Sequence, residues 1–129
     1  MADSTTPDEV SVEGSAFRGY GIRVDDVFNA TAEGEAELVS NADFRAFIGA
    51  LHDAACAPGV AGVRLDLRAL EVMGSTGFAV LVTWLARLEK LPPEARYQVR
   101  LFLDPTVRWQ ASAPRQLAGF ARGLLSFEP

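Results

Sequence analysis

Residues 62–81 read Gly62-Val63-Arg64-Leu65-Asp66-Leu67-Arg68-Ala69-Leu70-Glu71-Val72-Met73-Gly74-Ser75-Thr76-Gly77-Phe78-Ala79-Val80-Leu81. Val63, Leu65 and Leu67 alternate with Arg64, Asp66 and Arg68, the two-residue period of a strand with one apolar and one charged face. The strand is expected over Val60–Leu67, and Leu70–Met73 continues as an extended apolar link. Gly74-Ser75-Thr76-Gly77 then turns the chain into a helix. Serine is a preferred helix-capping residue, so capping alone is one sufficient reason for Ser75. The helix runs from Ser75 to about Lys90, with Phe78, Leu81, Val82, Leu85 and Leu88 on one face, and Leu91-Pro92-Pro93 stops it.

Working outward toward the C-terminus, Tyr97, Val99, Leu101 and Leu103 alternate as the next strand, which Asp104-Pro105 breaks. Pro114 suits the first turn of a third helix, where its missing N–H costs nothing, with Leu117, Phe120 and Ala121 as the apolar face. Leu124–Phe127 reads as a short closing strand. Toward the N-terminus, Ser40-Asn41-Ala42-Asp43 is a helix-start signal, a hydroxyl followed three residues later by an acid. Phe44, Phe47, Ile48, Leu51 and Ala55 follow on one helical face, ended by Pro58-Gly59. Two extended stretches, Gly19–Val24 and Asp26–Ala32, precede it, and Glu33-Gly34-Glu35 marks a turn or strand end. Residues 1–15 show no periodicity and are expected as a mobile tail, leaving 16–129 as a single domain. Strands separated by helices pair in parallel through right-handed crossovers. The expectation is an α/β fold, a mixed sheet of about five strands with about three helices.

The totals narrow the function. The 129 residues suffice for a core without a disulfide or metal staple. One cysteine, Cys56, and one histidine, His52, exclude an internal disulfide and a multi-histidine or cysteine-based metal site. Residues 1–37 carry nine acidic side chains against two arginines, whereas residues 38–129 carry eight acids against ten bases. An acidic first third argues against nucleic-acid binding, which needs a clustered basic footprint. No apolar run is long enough for a membrane span, and the polar, acidic start lacks the basic and apolar regions of a signal peptide, so a cytoplasmic location is expected. No cofactor motif is present: Gly74 and Gly77 fit neither a dinucleotide-binding nor a phosphate-loop pattern.

The strand, link and Gly-Ser-Thr-Gly turn resemble the STAS domain family, which includes bacterial anti-sigma factor antagonists. In that family a strand ending in Asp-Leu leads to an Asp-Ser-Ser/Thr-Gly turn at a helix start. Asp66-Leu67 corresponds to the strand end, and Ser75, Thr76 and Gly77 to the last part of the turn. The order of elements from about Gly19 to Phe127 also corresponds. The resemblance implies a non-enzymatic, partner-switching regulator of transcription in a signal-transduction circuit. It further implies that Ser75, or alternatively Thr76, is the phosphoacceptor. The partners it implies are a serine kinase or anti-sigma factor of the histidine-kinase-like ATPase type, and a phosphatase. A phosphate at a helix N-terminus meets unpaired N–H groups and the positive end of the helix dipole. It also adds ~1.5–2 negative charges to a surface that must meet a partner. Two departures stand out: Gly74 replaces the family's aspartate, and the family's extra C-terminal helix is missing. Val107-Arg108-Trp109-Gln110 has no counterpart. Gly74 also motivates the alternative of a STAS-like structural or scaffold subunit that binds its partner constitutively.

The helix beginning at Ser75 is apolar on more than one side, since Val80 and Trp84 lie off its main stripe. Such a helix is either deeply buried or part of an interface. The candidate docking surface comprises Gly74, Gly77, Val80, Trp84 and Arg87, because tryptophan and arginine are enriched at interface hot spots. The competing reading wedges Trp84 against the sheet. His52 reads as a lone surface histidine on the polar side of the first helix, and Cys56 as a packed thiol. Asp25-Asp26 and Glu33/Glu35/Glu37 lack a calcium-loop pattern and read as solvated charges. Trp109 is open between anchoring its loop and standing exposed for binding. No nucleophile, base and electrophilic stabiliser come together for catalysis.

Overall fold

The strand that opens the quoted stretch, β5 (Gly62–Asp66), is an inner strand of one mixed sheet. The computed structural model describes residues 2–6, 8–37 and 40–129. The remaining elements are β1 (Ala2–Thr6), β2 (Glu9–Glu13), β3 (Phe17–Val24), β4 (Val27–Ala36), α1 (Asn41–Ala55), β6 (Leu70–Met73), α2 (Ser75–Glu89), β7 (Gln98–Phe102), α3 (Arg108–Leu117) and β8 (Leu125–Glu128). The strand order is β1-β2-β3-β4-β5-β7-β8, with β6 paired to β4. The first four strands form an antiparallel meander. From β4 onward the pairing is parallel.

The α/β class and the three helices are as expected; the strand count is eight rather than about five. Most of the difference lies at the N-terminus. Residues 2–6 and 9–13 were expected within a tail and instead form β1 and β2. Val10 and Val12 pair opposite Gly21 and Gly19 and are buried. Two apolar residues are too few for a visible alternation, and the strand exists because β3 and α1 receive them. The link Leu70–Met73 is also a true strand, β6.

Strand β4 serves two neighbours in succession. Its first half pairs with β5, Val27 opposite Gly62 through Thr31 opposite Asp66. Its second half pairs with β6 after a register shift at Gly34/Glu35. Gly34 sits at φ +97°, and a Cβ there would lie 2.2 Å from the Ala16 carbonyl oxygen. Only glycine accommodates both constraints.

The third helix starts earlier than expected. It begins at Arg108, and Pro114 falls inside it rather than in its first turn. Phe120 and Ala121 lie beyond its end, Ala121 at φ +48°. The turns ahead of the proline are held from outside the helix. The Gln110 amide donates to Leu67 O at 2.8 Å and Leu70 O at 3.1 Å, while its oxygen accepts from Asp104 N at 2.7 Å.

The core lies between the sheet and the helices. Phe17, Phe28 and Leu65 from the sheet meet Phe44, Phe47 and Leu51 of α1 and Leu81, Leu85 and Leu88 of α2, all essentially inaccessible. Phe17 packs edge-on to Phe44 with ring centroids 5.6 Å apart.

Candidate functional site

The N-terminus of α2 is pinned to the end of β4 before any side chain is considered. Gly74 N–H donates to Ala36 O at 3.1 Å, and Phe78 N–H closes the first helical turn on Gly74 O at 2.9 Å. Gly74 occupies the cap position in extended conformation, and Ser75 is the first helical residue. Capping by the Ser75 side chain, expected from its residue type, is therefore not its role: no side-chain capping hydrogen bond forms. Ser75 and Thr76 are both exposed, and the first turn of α2 holds no acidic residue. Orphan N–H groups and a positive dipole end thus stand beside an accessible hydroxyl.

Both turn glycines are explained by packing. A Cβ on Gly77 would lie 2.2 Å from Ala36 O and 2.8 Å from Met73 Sδ. Gly77 is buried, so the docking role expected of it gives way to close helix–strand approach. A Cβ on Gly74 would lie 2.8 Å from Glu37 Cβ and 3.7 Å from Glu37 Oε2. The Cβ of Glu37, the residue after β4, stands where a side chain at position 74 would begin, and its carboxylate lies close by.

A groove of about 350 Å³ adjoins Ser75 on the α3 side, between Met73, Ser75 and Phe78 and the α3 residues Trp109, Ser112 and Gln116. Trp109 is half-buried in its wall, and its indole N–H donates to Leu70 O at 2.7 Å. That bond ties α3 to the start of β6 and settles the open question about Trp109: it is an anchor. No sequence pattern pointed there, because the acceptor is a backbone carbonyl 39 residues away.

A second groove, about 280 Å³, runs between α1 and α2. Arg45, Ile48 and Gly49 form one side; Thr76, Ala79, Thr83 and Arg87 form the other. Arg45, Ala79, Thr83 and Arg87 are exposed, whereas Val80 lies at the groove floor with 8% exposure. Trp84 is 1% exposed, so the docking role expected of it is corrected. Its bulk fills the space between helices and sheet, and its indole N–H donates to Tyr97 Oη at 2.8 Å.

Tyr97 continues the network. Its hydroxyl is 2.6 Å from His52 Nδ1 and donates to it once it accepts from Trp84. This leaves the His52 proton on Nε2, which faces Cys56 Sγ at 3.7 Å. His52 is therefore a core residue, not a surface one, at 4% exposure. Burial holds its imidazole below the ordinary value, helped by the nearby Arg87 charge and opposed by Asp53. Burial likewise pushes the Tyr97 hydroxyl well above its usual value. Cys56, expected to be packed, is exposed, since it caps the C-terminus of α1. Arg87 reaches Asp53 of α1 at 3.7 Å, and that ion pair lies outside the network.

Of the residues expected at the site, the structure brings Thr76, Val80 and Arg87 together along the α1 side of α2 and leaves Ser75 on the α3 side, with Gly74 at the cap. It withdraws Gly77 and Trp84 into the packing. No helix is long and apolar enough to cross a membrane among the described residues. No family model and no curated protein sequence matches the chain. A solved structure does: over 92% of this chain and 90% of the other, at 20% sequence identity and a TM-score of 0.62, the fold is that of the crystal structure of an anti-sigma factor antagonist from Mycobacterium paratuberculosis.

Proposed function

We propose that the protein is a non-enzymatic regulatory binding module of the anti-sigma factor antagonist type, switched by phosphorylation of Ser75. The observation that carries this reading is the α2 N-terminus, with its exposed serine, no acidic residue in the first turn and a groove on each side, Ser75 lining one and Thr76 the other. The fold likeness to an anti-sigma factor antagonist supports the class of partner. The partner is a serine kinase or anti-sigma factor of the histidine-kinase-like ATPase type, and a phosphatase resets the switch in the cytoplasm. The partner docks along the groove between α1 and α2, gripping Val80 at the floor and the guanidinium groups of Arg45 and Arg87 on its flanks.

The switch is electrostatic. A phosphate on Ser75 is held by the N–H groups and dipole of α2, so the fold tolerates it. It adds ~1.5–2 negative charges next to Thr76, which lines the docking groove. The partner then meets a surface of altered charge and a bulky group at its contact, and releases. Thr76, also exposed in the same turn, is the alternative acceptor.

A second reading rests on Gly74, where the resembled family has aspartate: the domain binds its partner constitutively and Ser75 carries no switch. Affinity capture from native cells with wild-type, Ser75→Ala and Ser75→Asp baits separates the two. The switch requires one ATPase-type partner on the first two baits and its loss from the third. Equal recovery on all three leaves the constitutive subunit.

A further inference from the structure

A phosphate on Ser75 arrives at a helix end where a carboxylate already stands. Gly74 N–H donates to Ala36 O at 3.1 Å, so the cap of α2 and the end of β4 are joined through the backbone. The next residue, Glu37, is held in its turn by Ser40. Glu37 N–H donates to Ser40 Oγ at 3.1 Å, and Glu37 O accepts from Ser40 Oγ at 2.8 Å and from Ser40 N–H at 3.1 Å. Ser40 is buried, which keeps these bonds out of water. Glu37 Cα lies 3.4 Å, and its Oε2 3.7 Å, from the place of a Cβ on Gly74. Standard bond lengths then put the carboxylate within about 7 Å of the Ser75 amide.

That carboxylate has no close competitor and no neutralising partner. The first turn of α2 holds no acidic residue. The groove on the α3 side, which Ser75 lines, has no charged side chain in its wall. The groove on the α1 side, which Thr76 lines, has Arg45 and, about three turns along α2, Arg87. Glu37 forms no ion pair among the described residues. Its backbone is fixed by the bonds to Ser40, so only rotation of the side chain can widen its distance from the helix end.

We propose that Glu37 opposes the phosphate on Ser75 and so biases the switch toward its unphosphorylated state. The inference rests on Ser75 as the phosphoacceptor and names the residue that tunes it. The N–H groups and dipole of α2 favour a phosphate. The Glu37 carboxylate repels it across a short gap and offsets part of that gain. The phosphorylated chain therefore holds its phosphate less tightly than the helix alone would, and a phosphatase resets it readily. Glu37 takes no part in the bond changes of phosphoryl transfer and acts only through its charge.

The test encodes phosphoserine at position 75 of the full chain during translation, so no kinase is needed, and follows its phosphorus NMR resonance against pH. The second ionisation of phosphoserine has a pKa of about 6. A neighbouring carboxylate raises it by disfavouring the dianion. Glu37→Gln is expected to lower the phosphate pKa by about half a unit to one unit, a three- to tenfold change in acidity constant. Glu94→Gln removes the same charge beyond the far end of α2 and is expected to leave it in place. Glu37→Asp, which keeps the charge, is expected to stay nearer the wild type than Glu37→Gln does. Phosphorylation is also expected to raise the melting temperature more in Glu37→Gln than in the wild type. Circular dichroism confirms that each variant is folded. An unmoved phosphate pKa in folded Glu37→Gln, an equal drop in Glu94→Gln, or an equal gain in melting temperature would overturn the proposal. Its failure is separable from failure of the kinase reading, because encoded phosphoserine reports on Glu37 whether or not a captured ATPase modifies Ser75.

Discussion

Gly77 and Gly49 show how one residue type answers two different demands. A methyl group at Gly77 meets the Ala36 carbonyl at 2.2 Å, an atom of a central strand that has nowhere to move. Gly77→Ala is therefore expected to destabilise the fold by about 1–3 kcal/mol, measured as a lower urea midpoint with unchanged slope. Gly49 lies mid-helix in α1, and a Cβ there has no neighbour within 4 Å. Gly49→Ala is expected to raise stability by up to about 1 kcal/mol. The added methyl enters the groove between α1 and α2, so capture of the partner is expected to weaken while the melting temperature rises. Unchanged capture by Gly49→Ala would move the docking surface elsewhere. At Gly74 the same logic bears on the family's missing aspartate. A side chain there collides with Glu37 unless Glu37 moves, so the turn holds a glycine beside the carboxylate of the residue that follows β4.

Helix α2 was legible as an element because its start and its stop are both written in local residue types. Its partners were not. The stripe of Phe78, Leu81, Leu85 and Leu88 marks one buried face, but the burial of Trp84 depends on Tyr97 from the strand edge and His52 from α1. No helical periodicity contains that three-way meeting. His52 was misplaced for the same reason, since a lone polar residue between apolar positions reads as solvent-facing until its partner is known. Tyr97→Phe removes the hydroxyl that joins them and leaves the Trp84 N–H and His52 Nδ1 unpaired. A loss of about 1–3 kcal/mol per unsatisfied group is expected by chemical denaturation. The network also carries a pH signature. The folded state holds His52 below its unfolded value of about 6.5. The native state then binds fewer protons than the unfolded chain as pH falls past that value. Stability from neutral His52 is complete above about pH 6.5 and is lost as the pH drops below it. His52→Gln is expected to flatten the fall in melting temperature between about pH 6.5 and 5; an unaltered slope would assign the acid sensitivity to other groups.

At the scale of the molecule, the alternation of strands and helices from about Gly19 to Phe127 was enough to set the class, the parallel half of the sheet and the place where a strand feeds α2. What stayed hidden was whatever depends on distant backbone. Val10 and Val12 become a strand only beside β3, and α3 starts ahead of Pro114 only because Trp109 and Gln110 reach the carbonyls of Leu70 and Leu67. The exposed serine was found, while its surroundings were not: the α3 groove on one side, the α1 groove on the other and the glutamate behind the cap. The finished topology also separates two surfaces, the helical face with Ser75 and the bare sheet face. The central claim concerns the first. The most direct measurement incubates the chain with its captured ATPase-type partner and ATP, then reads intact mass and fragment spectra. One phosphate on the wild type, located to Ser75 and absent from Ser75→Ala, is the predicted result. An unmodified wild type in the presence of a bound, active kinase, or a phosphate placed outside residues 75 and 76, would contradict it.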